Sequence, residues 1–515
     1  MHHVSIISKP RIPRFPVHPL KVGRFKIALF GVRILALSLL LLEAAAAQQT
    51  SPSFEAGSIA TPRTINPAAN STTPSSLAGQ QQNPFLGSVP SGPAMATPVE
   101  LSLEDAIDRG LRFNLGVIEN QATLRQAQAQ RLRALSSILP NVSALLRQNV
   151  DQLSRIAIGL KIPGIPASTG QFGYQESYFT FSENGLNLDN AYRLRAAHRV
   201  ADAGNYSLQD ARDVVALAVG TAYLQVIASQ SRLETAQAQL EVARTLEAQT
   251  ANQVASGLAP EIDGFRATVL RQTDEQRVAV AQASLDKDRL TLGRLIGLPS
   301  GQQFNTVTIT PYQTWSGPNL EEALQQARQS RADIKSVQAA AQAAEFDRKA
   351  AQSERLPALS FNGYYGAIGA TLGQSSETYA LTATLSVPLF TGGRIRADVE
   401  ERSAQLQRKQ SEALDLLGRV DYEIRNAFTD LGAAESAVRV AENNTQLAQK
   451  TLEQARDRFL NGVTNNLEVV QAQQDVASAH ENYISSLFAH NLAKLVLLRA
   501  LGTAQKNASR YLGGK

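Results

Sequence analysis

Two stretches of nearly seventy residues each have the composition of one continuous α-helix. Residues 394–461 contain no proline and only two glycines, and the same holds for residues 188–256. From Leu431 to Phe459, apolar and small residues recur at alternating steps of three and four, the spacing of a coiled coil. Such a helix is on the order of 100 Å long and does not fit inside a compact globule. The sequence therefore predicts a rod or a tube.

The chain contains two copies of one unit. LSLEDAIDRG (101–110) corresponds to PNLEEALQQA (318–327) at an offset of 217, and QVASGLAPEID (253–263) corresponds to RFLNGVTNNLE (458–468) at an offset of 205. The difference between the offsets places twelve extra residues in the first copy, between Pro140 and about Ser182. The predicted repeats span residues 99–302 and 303–505, followed by a C-terminal tail, 506–515.

Each copy has the same predicted order of elements. A first helix (101–139 or 319–356) ends at a Leu-Pro pair, because proline lacks an amide hydrogen and restricts the residue before it. Two strands follow, then a long helix that breaks at Gly257 or Gly462, and then a returning helix. The strands are predicted at about 141–150, 174–182, 358–367 and 378–388, and the helical hairpins at 188–296 and 394–501.

The predicted strands have one apolar and one polar face. Leu381, Ala383 and Leu385 alternate with Thr382 and Thr384, for example, and each strand approaches the roughly 9–11 residues that cross a membrane. Such strands more often cover a soluble core, but every neighbouring segment here is a long helix. Four strands cannot close a barrel, which takes about eight or more. Three chains would supply twelve.

The N-terminal region differs in composition from the repeats. Residues 1–47 combine basic residues with an apolar core (34–42) and small residues at Ala45 and Ala47, which predicts a cleaved export signal rather than a membrane anchor. This leader holds seven basic residues and one acid, so the net charge of +5 does not indicate nucleic-acid binding. Residues 48–98 are rich in Ser, Thr, Pro and Gln and are predicted to be a disordered extension.

The sequence shows no sign of enzymatic chemistry. The chain has no cysteine, which excludes disulfides, thiolate metal sites and cysteine nucleophiles. His198, His480 and His490 match no zinc motif, and neither a Walker loop nor a GxSxG element is present. We expect no catalytic residues, no metal and no cofactor.

Three motifs and the duplicated order give the chain a family resemblance over about residues 100–505. The motifs are LSLEDAI at 101–107, VPLFTGGR at 387–394 and NGVTNNLEVVQAQ at 461–473. Together they resemble the TolC-like outer-membrane efflux and secretion channels. The resemblance implies a mainly α protein with a transmembrane β-barrel: a homotrimer with a 12-stranded barrel in the outer membrane of a Gram-negative-type bacterium, and a helical tunnel in the periplasm.

The resemblance also implies a function. The trimer would be the passive exit duct of a tripartite efflux or type I secretion system for small molecules, metals or polypeptides, docked on a periplasmic adaptor and an inner-membrane pump. The alternative is a periplasmic adaptor or coiled-coil scaffold without a pore. An adaptor should carry compact β domains around a single hairpin, whereas this sequence has strands in both repeats.

By the same resemblance, the helix after the second long helix narrows the pore. The matching positions are Glu468 and Gln471, with Asp263 and Arg266 in the first copy. A ring of three Glu468 carboxylates would attract cations, and the neutral Gln471 would weaken that selectivity. Alternatively, Glu468 is an ordinary helix-start acid that complements the helix dipole.

The remaining candidate residues lie at turns and on strands. The resemblance assigns adaptor docking to the helix tips at Gly257, Leu258, Gly462 and Val463, although ordinary turn chemistry would look the same. Pro388, Gly392 and Gly393 are predicted to turn the last strand into the long helix, with Asn184 and Gly185 in that role in the first copy. Five strand tyrosines could form interfacial girdles or be ordinary strand formers: Tyr174, Tyr178, Tyr364, Tyr365 and Tyr379.

Overall fold

The computed structural model describes residues 83–183, 187–307, 312–461, 463–464 and 466–512. Its helices are α1 (Leu103–Phe113), α2 (Leu115–Ser136), α3 (Leu188–Ala255), α4 (Glu261–Leu295), α5 (Leu320–Ser330), α6 (Ala332–Ser353), α7 (Arg394–Leu460), α8 (Asn466–Ala500) and α9 (Ala504–Tyr511). Its strands are β1 (Val99–Leu101), β2 (Asn141–Asp151), β3 (Phe172–Glu183), β4 (Phe304–Thr306), β5 (Ala358–Gly369) and β6 (Ser375–Ser386). The predicted order of helix, two strands, long helix and returning helix occurs twice and is confirmed.

The first helix of each repeat is interrupted, so the prediction of one continuous helix is wrong. α1 gives way to α2 at Asn114, and α5 gives way to α6 at Arg331, both with an extended backbone. The Asn114 side chain accepts a hydrogen bond from the Gly116 N–H, and the buried Arg331 guanidinium donates to Asp333 and Glu423. These bonds stabilise the breaks, which the residue types Asn and Arg do not indicate by themselves. The two break positions are related by the repeat offset of 217.

Strands β2, β3, β5 and β6 form one antiparallel sheet in that order. The pairing register places like residues beside one another, so that polar and apolar rows alternate across all four strands. From β2 to β6, one row holds Asn141, Ser182, Asn362 and Thr382, and the next holds Val142, Phe181, Gly363 and Leu381. The sheet therefore has one polar and one apolar face, and within one copy β2 and β6 are its unpaired edges.

The extra residues of the first repeat lie in the connection at the end of the sheet far from the helices. Residues 152–171 join β2 to β3, whereas residues 370–374 join β5 to β6. The longer connection closes on itself, since the Arg155 N–H donates to the Ala167 carbonyl at 2.8 Å and the Thr169 N–H donates to the Leu153 carbonyl at 2.8 Å.

The middle of α3 is the centre of the main hydrophobic core. Val215, Val219 and Tyr223 are fully buried there, and the Tyr223 hydroxyl donates to the Leu101 carbonyl at 2.9 Å. Gly110 of α1 lets the two helices approach, because a Cβ at this position would lie 2.7 Å from Val219. Among the described helices, only α3 holds a stretch long and apolar enough to cross a membrane, but half of that stretch is buried in this core.

The prediction of a disordered N-terminal extension is wrong for residues 83–98. The Phe85 ring packs on Gly116, where a Cβ would lie 2.3 Å from the ring, and the Phe85 carbonyl accepts a hydrogen bond from the Asn114 side chain at 2.9 Å. The composition of this segment does not reveal the packing, because the packing depends on a surface that a glycine leaves open. Residues 1–82, which include the predicted signal peptide, lie outside the described residues.

A cluster of polar side chains is buried in the last third of α8. His490 is fully buried, and neither ring nitrogen has a hydrogen-bond partner among the described residues; the same holds for Asn491 Oδ1. The Tyr312 ring lies 5.0 Å from the His490 ring, and Lys494 is buried one turn further along. Burial and the Lys494 charge lower the pKa of His490 to about 4, with Glu435 opposing, and burial lowers the pKa of Lys494 to about 8.

We expect Phe85→Ala to destabilise the protein by about 1–2 kcal/mol, less than the cost of removing a fully buried Phe, because the ring is half-buried. The measurement is the free energy of unfolding, together with the rate of proteolysis within residues 83–98. Leu86→Ala is the matched control, because Leu86 is 56% exposed. Equal stability and protease resistance for parent and Phe85→Ala would contradict the packing.

We expect acidification from pH 7 to pH 5 to lower the Tm of the purified protein, partly through His490. The unfolded imidazole binds a proton below its ordinary pKa of 6.5, whereas the buried one stays neutral down to about 4, so folding loses stability across that window. Between pH 6.5 and pH 5 this window spans about 1.5 pH units, which corresponds to at most about 2 kcal/mol of lost stability. His490→Gln should reduce the change in Tm, and His198→Gln, at an exposed position, should not. An unreduced change in His490→Gln would refute the assignment.

Candidate functional site

The polar face of the sheet carries hydrogen bonds and charge between strands. Ser143 Oγ and Thr180 Oγ1 are 2.6 Å apart, and Arg147 lies 3.6 Å from Glu176. All four side chains belong to alternate residues of β2 and β3 on one face. This face can therefore line an aqueous channel, while the apolar face can contact lipid.

The five strand tyrosines do not form one girdle. Tyr365 and Tyr379 are paired directly across β5 and β6 on the apolar face, 56% and 76% exposed. Tyr174, Tyr178 and Tyr364 lie on the polar face instead, with the Tyr178 and Tyr364 rings 4.8 Å apart. The register decides this division, because a shift of one residue along a strand moves a side chain to the other face.

The passage from sheet to long helix is built from two glycines and an ion-pair cluster. β6 ends at Ser386, and Gly392 (φ 61°) and Gly393 (φ 88°) then adopt a left-handed backbone that favours glycine. Glu354, just after α6, binds Arg394 at 2.8 Å and Arg193 at 2.9 Å, so it connects the starts of both long helices. Pro388 lies beyond the last strand residue; Asn184 and Gly185, the first-copy counterparts, lie outside the described residues.

The far ends of the long helices present apolar side chains to solvent. After α3, the Gly257 N–H donates to the Val254 carbonyl at 3.0 Å and the Leu258 N–H donates to the Gln253 carbonyl at 2.8 Å, the pattern of a Schellman motif. After α7, the Val463 N–H donates to the Arg458 carbonyl at 2.9 Å in the same way. Leu258 and Val463 are 82% and 68% exposed, and Gly462 lies outside the described residues.

The first turns of α8 bury one side and expose the other. Val469, Ala472 and Val476 pack in a hydrophobic cluster with residues of α3, α4 and α7. Glu468 lies half-exposed at the flank of this cluster, and Gln471 lies further round the helix on the solvent side. Glu468 is not a free carboxylate, since it lies 3.5 Å from Arg458 and accepts a hydrogen bond from Thr464. Gln471 is exposed.

The first-copy counterpart of Glu468 has a different environment. Asp263 is buried, and its carboxylate accepts a hydrogen bond from Arg266 at 3.2 Å. The structure therefore does not support the prediction that Asp263 lines a constriction. Sequence alignment of the repeats could not show this, because the burial of Asp263 depends on helices that are far away in the chain.

Sequence reasoning missed Asp475. A helix turns by about 100° per residue, so Asp475 lies between Glu468 and Gln471 in angle and about 10 Å further along the helix than Glu468. Its side chain is exposed and forms no ion pair or hydrogen bond with any other described residue. The sequence did contain a signal for this: seven residues separate Glu468 from Asp475, about two helical turns, so both carboxylates lie on the same side of the helix.

Comparison with known proteins agrees with this architecture. The family of outer membrane efflux proteins matches residues 323–503. The chain is 25% identical over 401 residues to the pyoverdine export outer membrane protein OpmQ of Pseudomonas putida, a match that covers 74% of this chain and 81% of OpmQ. It is 25% identical over 255 residues to the cation efflux system protein CusC of Escherichia coli, covering 47% of this chain and 51% of CusC.

Solved structures of outer-membrane channels have the same fold. VceC of Vibrio cholerae superposes with a TM-score of 0.66 at 20% identity, covering 78% of this chain and 96% of VceC. CmeC of Campylobacter jejuni gives a TM-score of 0.69 at 17% identity, covering 87% of this chain and 96% of CmeC. The fold is thus TolC-like along nearly the full length of both channels, and residues 323–503 are similar to the outer membrane efflux proteins.

Proposed function

We propose that this protein is the outer-membrane exit channel of a tripartite efflux or secretion system and acts as a passive duct rather than as an enzyme. The observation that carries the proposal is the sheet, which has one apolar face, one polar face and two unpaired edges. Backbone groups in a lipid bilayer must all be paired, so such a sheet spans a membrane only as part of a closed barrel. Family members form trimeric channels, and three copies of this sheet supply twelve strands.

The long helices continue the duct into the periplasm. α3 and α7 each span on the order of 100 Å at 1.5 Å per residue. Their returning partners, α4 and α8, end beside the core, so that each repeat contributes one hairpin to the tunnel wall. Three copies then contribute six hairpins to the wall of the tunnel.

The exposed side of α8 supplies the charge at the narrow end. Glu468 and Asp475 are carboxylates on this side, and a neutral Gln471 lies between them along the helix. Threefold repetition turns each carboxylate into a ring, and such rings favour cations. The contact with Arg458 partly neutralises Glu468, which leaves Asp475 as the less compensated acid.

The helix tips support docking of a periplasmic adaptor, which would connect the channel to an inner-membrane pump. Leu258 and Val463 are exposed apolar residues on tight turns, a feature more typical of interfaces than of solvated loops. The relatives are named for pyoverdine export, toluene efflux, cation efflux and alkaline protease secretion. The cargo proposed for this protein is accordingly a small molecule, a metal ion or a polypeptide that a partner pump selects.

The test of the function is membrane fractionation followed by electrophysiology. The full chain should be recovered in the outer membrane as a trimer whose migration on gels changes on heating, and it should conduct ions in planar bilayers. Recovery as a soluble periplasmic protein without conductance would favour the pore-free scaffold instead.

We expect Glu468→Ala to change the single-channel conductance, or its block by divalent cations, in planar bilayers. The substitution removes a carboxylate and leaves Arg458 without this partner, so the field at the narrow end becomes more positive. Glu481→Ala is the matched control, because this acid of α8 binds Arg232 of α3 at 2.9 Å on another side of the helix. Identical current–voltage curves for Glu468→Ala and parent would show that Glu468 is not at the constriction.

A further inference from the structure

We infer that an apolar wedge after β6 of one copy, Leu389 and Phe390, packs on an apolar strip of the next copy, Leu132, Leu135 and Leu139. The inference rests on the proposed function, because it needs copies arranged in a ring. It adds the contact that joins neighbouring copies immediately below the barrel.

Both surfaces are apolar and uncovered in one copy. Leu389 and Phe390 are 93% and 91% exposed. Leu132 is 59% exposed, Leu135 is 36% exposed and Leu139 is 49% exposed. Leu132 and Leu135 lie at the end of α2, and Leu139 lies in the turn after it. Apolar groups exposed this strongly at two separate places indicate contact surfaces rather than solvated ones.

The apolar residues of the wedge and of the full strip occur in only one of the two repeats, and in each case they lie beside an unpaired edge of the sheet. At the offset of 205, Leu389 and Phe390 correspond to Asn184 and Gly185. At the offset of 217, Leu132 and Leu135 correspond to Lys349 and Gln352, and only Leu139 has an apolar counterpart, Leu356. The wedge thus occurs only beside β6 and the full strip only beside β2, the two unpaired edges of the sheet.

The junction inside one copy shows how the edges meet. There the end of β3 pairs with the start of β5, with Glu183 opposite Phe361, and α3 packs along α6. Arg193 at the start of α3 binds Glu354 just after α6 at 2.9 Å. By the duplication, β6 corresponds to β3, α7 corresponds to α3 and α2 corresponds to α6. The passage from β6 into α7 is therefore the counterpart of the passage from β3 into α3.

The order of strands places the same junction between copies. All neighbours in the sheet are antiparallel, so closing the ring sets the end of β6 beside the start of β2 of the next copy. The residues after Ser386 then lie level with the residues before Asn141 of that copy. A head-to-tail contact of two different surfaces is the kind that closes a ring. Apolar packing between copies therefore replaces the ion pair found within a copy.

The absence of native cysteine makes cross-linking a direct test. Phe390→Cys is combined in turn with Leu132→Cys, Leu135→Cys and Leu139→Cys, and outer-membrane vesicles are oxidised before denaturing electrophoresis. A disulfide forms only when the two Cα atoms come within about 7 Å. At least one pair should give covalent dimers and trimers that reductant removes. Phe390→Cys with Leu414→Cys, at a 71% exposed position on α7, should not.

A second variant tests the strip without cysteines. Leu132→Lys with Leu135→Gln introduces the residues of the second repeat and should lower the temperature at which the trimer dissociates. A native trimer that forms no cross-link with any pair, or strong quenching of a Phe390→Trp variant by brominated lipids, would overturn the contact and leave the channel intact. A parent chain that forms no trimer would overturn the proposed function as well.

Discussion

In the hydrocarbon of a bilayer, each backbone amide and carbonyl needs a hydrogen-bond partner from the protein, and an unpaired group costs several kcal/mol. The sheet of one copy satisfies this for β3 and β5 and leaves one edge of β2 and one edge of β6 unpaired. Closure with other copies, as in the proposed trimer, would remove both edges. The two faces follow from the register. The side chains of rows such as Asn141–Ser182–Asn362–Thr382 lie on one face of the sheet, and those of the adjacent apolar row lie on the other face.

The two repeats have the same backbone but different side-chain environments. The helix breaks at Asn114 and Arg331 and the turns after α3 and α7 recur at the repeat offsets. The environments of the matching acids do not recur: Asp263 is buried with Arg266, whereas Glu468 is half-exposed beside Arg458. The two hairpins of one copy therefore differ in the environment of the matching acid, although both begin their returning helix with an acidic residue.

Periodicity predicted much of the fold, because strand and helix patterns are local. The strands expected near 358–367 and 378–388 lie at Ala358–Gly369 and Ser375–Ser386, and both long helices begin at the expected residues. The breaks at Asn114 and Arg331 were not predictable in this way. The Arg331 guanidinium binds Glu423, which is far away in the chain, and Phe85 is held by Gly116 of α2. The local composition of a segment does not predict contacts with residues that are distant in the chain.

The amino-acid sequence by itself determined the duplicated order of elements, the lengths of the two long helices and the alternation that makes the strands two-faced, since each depends on spacing along the chain. Only the tertiary structure decided which polar groups are exposed. It buries His490 and Asp263, pairs Glu468 with Arg458, exposes Asp475 and divides the strand tyrosines between two faces. Burial and charge pairing depend on side chains that folding brings together from distant positions, and no local pattern encodes them.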